Sequence, residues 1–222
     1  MRYLHDSRSL FLHIPRCGGT FVEEALDLCG IGTDDWEQSH PRCFCSRHAL
    51  LSHCYRDKLA EVDNVFAFIR HPYYYYESTW RWLTKFGERK RKRLWTWWEW
   101  HPFASVGKLY VDDFSSWVRK VMAEEPLWVS RIYDAYVGPE GGEFCQFVGR
   151  TEHIADDLVL ILGRLGYDVD GSTKKLSNLG NVNTVSISVD LDKELWETVE
   201  DHEVSAFRRW ESKRIEFPGV SS

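Results

Sequence analysis

Residues 9–29 of the chain read Ser-Leu-Phe-Leu-His-Ile-Pro-Arg-Cys-Gly-Gly-Thr-Phe-Val-Glu-Glu-Ala-Leu-Asp-Leu-Cys. The apolar run 9–14 stops at Pro15 and predicts a short buried strand. Apolar residues at helical spacing over 21–29 predict a helix that ends at Gly30. The stretch is therefore a strand, a glycine loop and a helix in direct succession, which is the local pattern of an α/β fold.

The glycine loop between these two elements has the features of an anion-binding site. Free backbone N–H groups point outward at the start of a helix, where the helix dipole favours negative charge. Gly18 and Gly19 allow a close approach of the backbone to a phosphate, while Arg16 adds a cation and Thr20 a hydroxyl donor. No Lys follows the glycines, so the loop is not a Walker A motif. For a Gly-Gly pair alone, a purely structural turn is the alternative.

Further elements follow the same strand–helix alternation. Strands are predicted over 64–69 and 144–149, and a long helix over 73–92. Other predicted helices or short elements cover 55–63, 114–122 after a cap at Asp112 or Asp113, 129–136, 152–165 after a cap at Thr151, and 191–213. This order predicts a single domain over residues 1–222, with a central, mostly parallel sheet flanked by helices.

The octet His13-Ile14-Pro15-Arg16-Cys17-Gly18-Gly19-Thr20 closely resembles the 5′-phosphosulfate loop of the sulfotransferases that act on carbohydrates, whose usual form is His-x-Pro-Lys-x-Gly-Gly-Thr. The resemblance implies a P-loop-like three-layer fold, PAPS (3′-phosphoadenosine 5′-phosphosulfate) as co-substrate, PAP as product, and no required metal. It assigns Arg16 to the phosphosulfate near its bridging oxygen. It assigns the 5′-phosphate to Cys17, Gly18, Gly19 and Thr20. Arg16 and Cys17 depart from the usual Lys and Thr or Ser, and an Arg is a poor proton donor to the leaving group.

A second signature follows the 64–69 strand. Arg70-His71-Pro72 is similar to the Arg-x-Pro of the same family, and Ser78 stands eight residues after the Arg, as it does there. The resemblance implies that Arg70 and Ser78 hold the 3′-phosphate, and a strand-end Arg suits bidentate phosphate binding. Tyr75 stands where the family often has a further Arg. For Arg70 alone, a surface ion pair is the alternative, and packing is the expected role of the Tyr73–Tyr76 run.

Two later segments resemble the family more loosely. Residues 147–158 are similar to its C-terminal strand-to-helix segment, and residues 181–184 to a loop that closes over the nucleotide. The second match assigns Asn183 a contact with the nucleotide, and a turn-forming Asn is the alternative.

A histidine is the expected general base, because its pKa suits proton transfer near neutral pH. The resemblance places a His or Glu as the base between the two phosphate motifs, where His40, His48 and His53 lie; His48 is the first choice and His53 the second. A structural His is the alternative for each. The same stretch also offers zinc ligands at His40, Cys43, Cys45, His48, His53 and Cys54, although their spacing is not that of the usual Cys-x-x-Cys pairs.

A basic run, 89–93, stands directly before an aromatic run, 95–100. Cations beside exposed rings suit an acidic or hydroxyl-rich glycan, so Arg89, Lys90, Arg91 and Trp97 are predicted to bind the acceptor. A solvated helix end and core packing are the alternatives for the two runs.

Composition limits the remaining choices. The net charge of −6 disfavours nucleic acid as a partner. No transmembrane run or signal peptide is recognisable, so a cytoplasmic protein without membrane contact is expected, acting on a small molecule or a glycan. Two rival hypotheses remain open: a P-loop nucleotide kinase, and a non-catalytic module that is stabilised by a nucleotide or by zinc.

Overall fold

The structure is a computed structural model, and it describes residues 1–36, 46–53, 59–97, 103–139, 144–169, 176, 179 and 192–212. The strands in these ranges are β1 (Arg2–Leu4), β2 (Ser9–Leu12), β3 (Thr33–Asp35), β4 (Asn64–Ile69) and β5 (Phe147–Arg150). The α-helices are α1 (Gly19–Leu28), α2 (Pro72–Trp97), α3 (Ala104–Lys108), α4 (Phe114–Glu124), α5 (Trp128–Val137), α6 (Ile154–Arg164), α7 (Lys193–His202) and α8 (Val204–Ser212). Short 3-10 helices cover Ser46–His48, Leu51–His53 and Thr151–His153.

The five strands form one mixed sheet in the order β3-β1-β2-β4-β5. β4 is parallel to both of its neighbours, with Leu12 opposite Ala67 and Ile69 opposite Arg150. β1 is antiparallel to both β2 and β3. The α/β class is therefore confirmed, and the sheet is mixed: two of its four strand pairings are parallel, and β1 runs opposite to the other four strands. The reason is an N-terminal hairpin, whose turn is closed by a hydrogen bond from the Arg8 N–H to the His5 carbonyl (3.2 Å).

Most predicted elements have the expected positions. The strand at 64–69, the helix after the glycine loop and the long helix from 72 are all present. Asp113 caps α4 by accepting a hydrogen bond from the Ser116 N–H (2.7 Å). The predicted helix over 191–213 is two helices that meet at Glu203. Residues 55–58 of the element predicted at 55–63 lie outside the described residues.

Thr151 does not cap a helix as predicted. Its hydroxyl donates to the carbonyl of Ile69 (3.0 Å), and Thr151 begins a 3-10 turn that precedes α6. The segment that follows β5 is held instead by Asp157, whose carboxylate accepts from the Arg150 N–H (2.7 Å). Both contacts hold this segment at the carboxyl end of the parallel strands.

The chain divides into two compact units. The sheet unit consists of Met1–Arg70, Asp134–Asn183 and Arg209–Ser222, and the helical unit of His71–Tyr133 and Thr184–Arg208. In the sheet unit, the core is formed by the fully apolar centres of β2 and β4 and by the inner face of α1, where Val22, Ala25 and Leu26 are buried. Burial of these side chains is the main stabilising term, at about 25 cal/mol per Å² of apolar surface. The prediction of a single domain stays a prediction.

The helical unit has an aromatic core. Tyr73, Tyr75 and Tyr76 are buried there and Tyr74 is exposed, so the Tyr73–Tyr76 run has the packing role that was expected. The buried carboxylate of Glu203 accepts hydrogen bonds from the Tyr76 hydroxyl, from the Ser130 hydroxyl and from the N–H groups of Val129 and Ser130. It thereby satisfies N–H groups at the start of α5, which have no acceptor within their own helix.

Among the described residues, no helix combines the length and the apolar character that a membrane crossing requires.

Candidate functional site

The glycine loop connects the carboxyl end of β2 to the first turn of α1. The Cys17 N–H donates to the Ile14 carbonyl (3.2 Å) and closes a tight turn. Arg16 (φ 66°) and Gly18 (φ 76°) on either side of Cys17 both lie in the left-handed region. This region is natural for Gly and uncommon for Arg. Beyond Gly18, the first N–H groups of α1 have no acceptor inside the helix, which is the arrangement that suits an anion.

Both glycines of the loop also permit close packing. A Cβ atom on Gly18 would overlap the Cδ1 of Ile154 at the start of α6, and one on Gly19 would overlap the imidazole ring of His13. The sequence predicted glycines for the approach of a phosphate. The structure adds a second reason for glycine at both positions, because the loop lies directly against α6 on one side and against His13 on the other.

Glu23, on the second turn of α1, is the centre of a buried polar network. Its Oε1 atom accepts from His13 Nδ1 (3.1 Å) and from Arg47 Nε (3.0 Å). Its Oε2 atom accepts from Arg47 Nη2. Arg2 of β1 adds a longer ion pair, with Nε 3.9 Å from Oε1. Four separate segments of the sheet unit therefore meet at one carboxylate.

The electrostatics of this network fix its protonation. Burial would raise the pKa of the Glu23 carboxyl, but the hydrogen bonds from His13 and Arg47, together with nearby positive charge, lower it to about 2. Burial lowers the pKa of His13 and outweighs the opposite effect of Glu23. At neutral pH, Glu23 is ionised and His13 is neutral. Nδ1 of His13 must then carry the proton, because a carboxylate can only accept.

His48, the first choice for the base, lies against His13. Its Nδ1 atom is 3.0 Å from the His13 carbonyl oxygen, and the two rings meet edge to face with centroids 4.6 Å apart. A carbonyl only accepts, so Nδ1 of His48 is the donor, and Nε2 is the ring nitrogen that can take up a proton. The Tyr136 hydroxyl donates to the His48 carbonyl (2.6 Å) and holds the backbone at this residue.

Two arginines stand at the carboxyl edge of the parallel strands. Arg70 directly follows β4, and Arg150 ends β5 opposite Ile69. The guanidinium of Arg150 lies over the Trp210 ring, 5.3 Å from its centroid, an arrangement that favours a cation. The carboxyl ends of β2, β4 and β5 are adjacent in the sheet, so Arg70 and Arg150 lie at the same edge of the sheet as the glycine loop that follows β2.

The remaining predicted site residues are placed as follows. Thr20 is half-buried at the start of α1, and Cys17 is buried. Ser78 is buried about two turns into α2, as predicted, and belongs to the helical unit. The backbone of His53 forms part of a 3-10 helix, and its side chain lies outside the described residues.

The predicted acceptor residues lie on α2, which runs from Pro72 to Trp97. The side chains of Arg89, Lys90, Arg91 and Trp97 lie outside the described part of the structure, as does the whole of Asn183. Of the possible zinc ligands, His40, Cys43, Cys45 and Cys54 lie outside it too. Within the residues that are described, no group of three or more His, Cys, Asp or Glu side chains is arranged to hold a metal ion.

Sequence reasoning missed Glu23 and Arg47. A signal for Glu23 was present, because it precedes Leu26 by three residues and therefore lies next to the buried face of α1. Glu24, one position on, is exposed. No local signal marked Arg47, whose role depends on a partner 24 residues away.

Comparisons with known proteins gave no match: no family model, no curated protein and no solved structure resembles the chain at a significant level.

Proposed function

We propose that this chain is a sulfotransferase that moves the sulfuryl group of PAPS to a hydroxyl group of a carbohydrate and releases PAP, on a P-loop-like fold. One observation carries the proposal. The octet 13–20 forms a tight loop between a parallel strand and the N-terminus of a ten-residue helix. Arg70 follows the adjacent parallel strand, at the same edge of the sheet. The N–H groups of the loop, together with the cations Arg16 and Arg70 at the same edge of the sheet, suit a ligand with several anionic groups.

The residues present fit such a nucleotide by their donor chemistry. The loop N–H groups and the Thr20 hydroxyl are donors for the 5′-phosphate, and Arg16 is a cation for the phosphosulfate. Arg70 is the donor for the 3′-phosphate, and the parts assigned to Ser78 and Asn183 stay predictions from the sequence. PAPS, when bound, supplies an activated sulfuryl group on a good leaving group. The chain then has to orient the reactants and stabilise charge, as in phosphoryl transfer.

His48 is the proposed base. The acceptor oxygen forms a bond to sulfur while the bond between sulfur and the PAP oxygen breaks, and the bonding electrons leave with PAP. The proton of the acceptor hydroxyl goes to Nε2 of His48, the ring nitrogen that is opposite the Nδ1 donor. Arg16 stabilises the negative charge on the leaving oxygen without donating its proton.

The proposed acceptor is an anionic or hydroxyl-rich glycan bound by Arg89, Lys90, Arg91 and Trp97. Joint replacement of Arg89, Lys90 and Arg91 with Ala is expected to raise the KM for the acceptor and to leave the affinity for PAPS unchanged. Unchanged acceptor kinetics would exclude this surface.

Calorimetry with PAP and with ATP plus Mg²⁺ is the primary test. PAP should bind, and Arg70→Ala should weaken its binding by at least about tenfold, since a charge-assisted contact contributes about 1.5–3 kcal/mol. Arg208→Ala is the matched control, because Arg208 is an exposed arginine of α8, and it should leave PAP binding unchanged. Failure of PAP to bind, or an Arg70→Ala variant that binds normally, would overturn the proposal. Preference for ATP with Mg²⁺ would favour a nucleotide kinase, and binding of PAP without turnover of PAPS would favour a non-catalytic module.

A further inference from the structure

We infer that Glu23 is a positioning residue for the proposed sulfuryl transfer: its single carboxylate joins the first residue of the phosphosulfate loop to the segment that carries the base. The inference rests on the proposed function. Glu23 is not expected to touch either substrate, since it is buried and both of its oxygens accept hydrogen bonds from the protein.

The carboxylate first fixes the ring of His13. Oε1 of Glu23 accepts from Nδ1 of the imidazole, and the Cδ2 and Nε2 atoms of the ring occupy the space that a Cβ atom on Gly19 would need. The ring cannot flip without breaking the hydrogen bond, and it has no space to shift toward α1. His13 is also the residue at which β2 gives way to the loop. The first residue of the loop is therefore fixed to the helix whose N-terminus would bind the phosphate.

The same carboxylate fixes the position of His48 through its neighbour. Arg47 presents Nε and Nη2 to the two oxygens of Glu23, a bidentate arrangement that restricts both the direction and the plane of the guanidinium. Arg47 and His48 share one turn of 3-10 helix. His48 also donates a hydrogen bond to the carbonyl of His13. His48 is therefore connected to Glu23 twice, through Arg47 and through His13.

The charges around the two imidazoles predict what loss of the carboxylate would do. Among the described residues, the titratable or charged groups around His13 and its carboxylate partner are Glu23 from α1, Arg2 from β1, Arg47 and His48 from the 3-10 helix, and the amino group of Met1, which donates to the Arg47 carbonyl (2.8 Å). Glu23 is the only anion in this set. Its neutralisation leaves cations beside the imidazoles, which disfavours protonated rings.

The test compares Glu23→Gln with Glu24→Gln as matched control, since Glu24 is the next residue of the same helix and is exposed. The reaction monitored is sulfate release from PAPS with water as acceptor, in which water oxygen bonds to sulfur, the bond to PAP breaks and the base takes a proton. For Glu23→Gln, kcat should fall by about 10–100-fold, as is typical when an orienting partner is lost. The acid limb of the pH profile should move to lower pH, and the Kd for PAP should change less than about fivefold, because backbone donors bind the phosphate.

Nitrogen-15 spectra of the imidazoles show directly whether the Glu23 carboxylate sets the tautomer of His13. The native protein and Glu24→Gln should show His13 as a single neutral tautomer protonated at Nδ1. Glu23→Gln should show a mixture or the other tautomer, because an amide can donate as well as accept. Glu23→Asp keeps the charge and should restore part of kcat.

The outcomes separate the inference from the function on which it rests. If the native protein neither binds PAP nor releases sulfate from PAPS, both fail. If it does both and Glu23→Gln retains the native kcat and pH profile, only the role of Glu23 is overturned. If Glu23→Gln does not fold, Arg47→Gln provides the test instead, because Arg47 is the more exposed partner of the Glu23–Arg47 ion pair. Its expected result is a lowered kcat with PAP affinity retained. An unchanged kcat in that variant refutes the positioning role.

Discussion

Gly19→Ala is the substitution whose effect follows most directly from the structure. The added methyl group would overlap the His13 ring, which is buried and held on its far edge by Glu23. Either the ring or the start of α1 must move. Overpacking of this kind costs about 1–3 kcal/mol, and loss of a hydrogen bond to a charged group costs about 1.5–3 kcal/mol. The better helix propensity of Ala offsets no more than about 1 kcal/mol. The expected net loss of stability is about 2–4 kcal/mol.

The matched control for this prediction is Gly163→Ala in α6. Among the described residues, a methyl group there would meet only Val169, at an ordinary 3.7 Å, on an exposed face of the helix. That variant should be more stable than the native protein by about 0.5–1 kcal/mol, the usual gain for Gly→Ala inside a helix. The same chemical change is thus expected to have opposite signs at the two positions.

Urea unfolding followed by tryptophan fluorescence measures both variants. A lower midpoint for Gly19→Ala and a higher one for Gly163→Ala, each with an unchanged m-value, is the expected result. A Gly19→Ala protein with native or raised stability would show that the ring of His13 does not lie against α1.

Three further predictions concern stability. Glu203→Gln should lower the free energy of unfolding by about 2–3 kcal/mol in urea titrations, because the amide NH2 would face donors that now meet a carboxylate; native stability would show that these donors find other acceptors. Asp192→Ala should cost about 1 kcal/mol in the same assay, through loss of the cap on the Leu195 N–H, and no change would mean that the helix start is already frayed. Stability should fall as the pH drops below 6.5, because the unfolded chain then protonates His13 and the folded chain does not. It should fall further between pH 4.5 and about 2, where protonation of Glu23 favours the unfolded chain. Plots of the unfolding midpoint against pH for the native protein and for Glu23→Gln should differ in this lower window, and parallel curves would contradict the pKa assigned to Glu23.

Local signals in the sequence were sufficient for the elements that carry the loop. Buried strands at β2 and β4, the glycine turn and the helix after it each follow from a run of apolar residues and from the Pro or Gly residues that end it. A cap at Asp112 or Asp113 follows in the same way, because an N-cap involves only residues two or three positions apart, and the structure identifies Asp113 as the cap.

The elements that were missed depend on distant partners. β1 and β3 are only three residues long, and β3 is Thr-Asp-Asp, so neither has an apolar pattern of its own. They exist because they pair with neighbours, and no short window of sequence encodes that pairing. The buried position of Glu23 had a local signal, but its role did not, because its donors and cations come from β1, from the end of β2 and from residue 47.

The left-handed conformation of Arg16 connects the packing of the loop with its proposed chemistry. A non-glycine residue in this region costs on the order of 1–3 kcal/mol and persists only where its surroundings impose it. Here both sides of Arg16 are fixed: His13 is held between Glu23 and Gly19, and Gly18 lies against Ile154. A Gly at position 16 would adopt the same backbone without strain. The chain instead has a cation there, at the residue that the proposed function assigns to the phosphosulfate. Arg8 (φ 48°) and Leu127 (φ 57°) also adopt positive φ, so what distinguishes Arg16 is its place in the loop, between neighbours that are fixed by packing and at the position where the proposed function needs a cation.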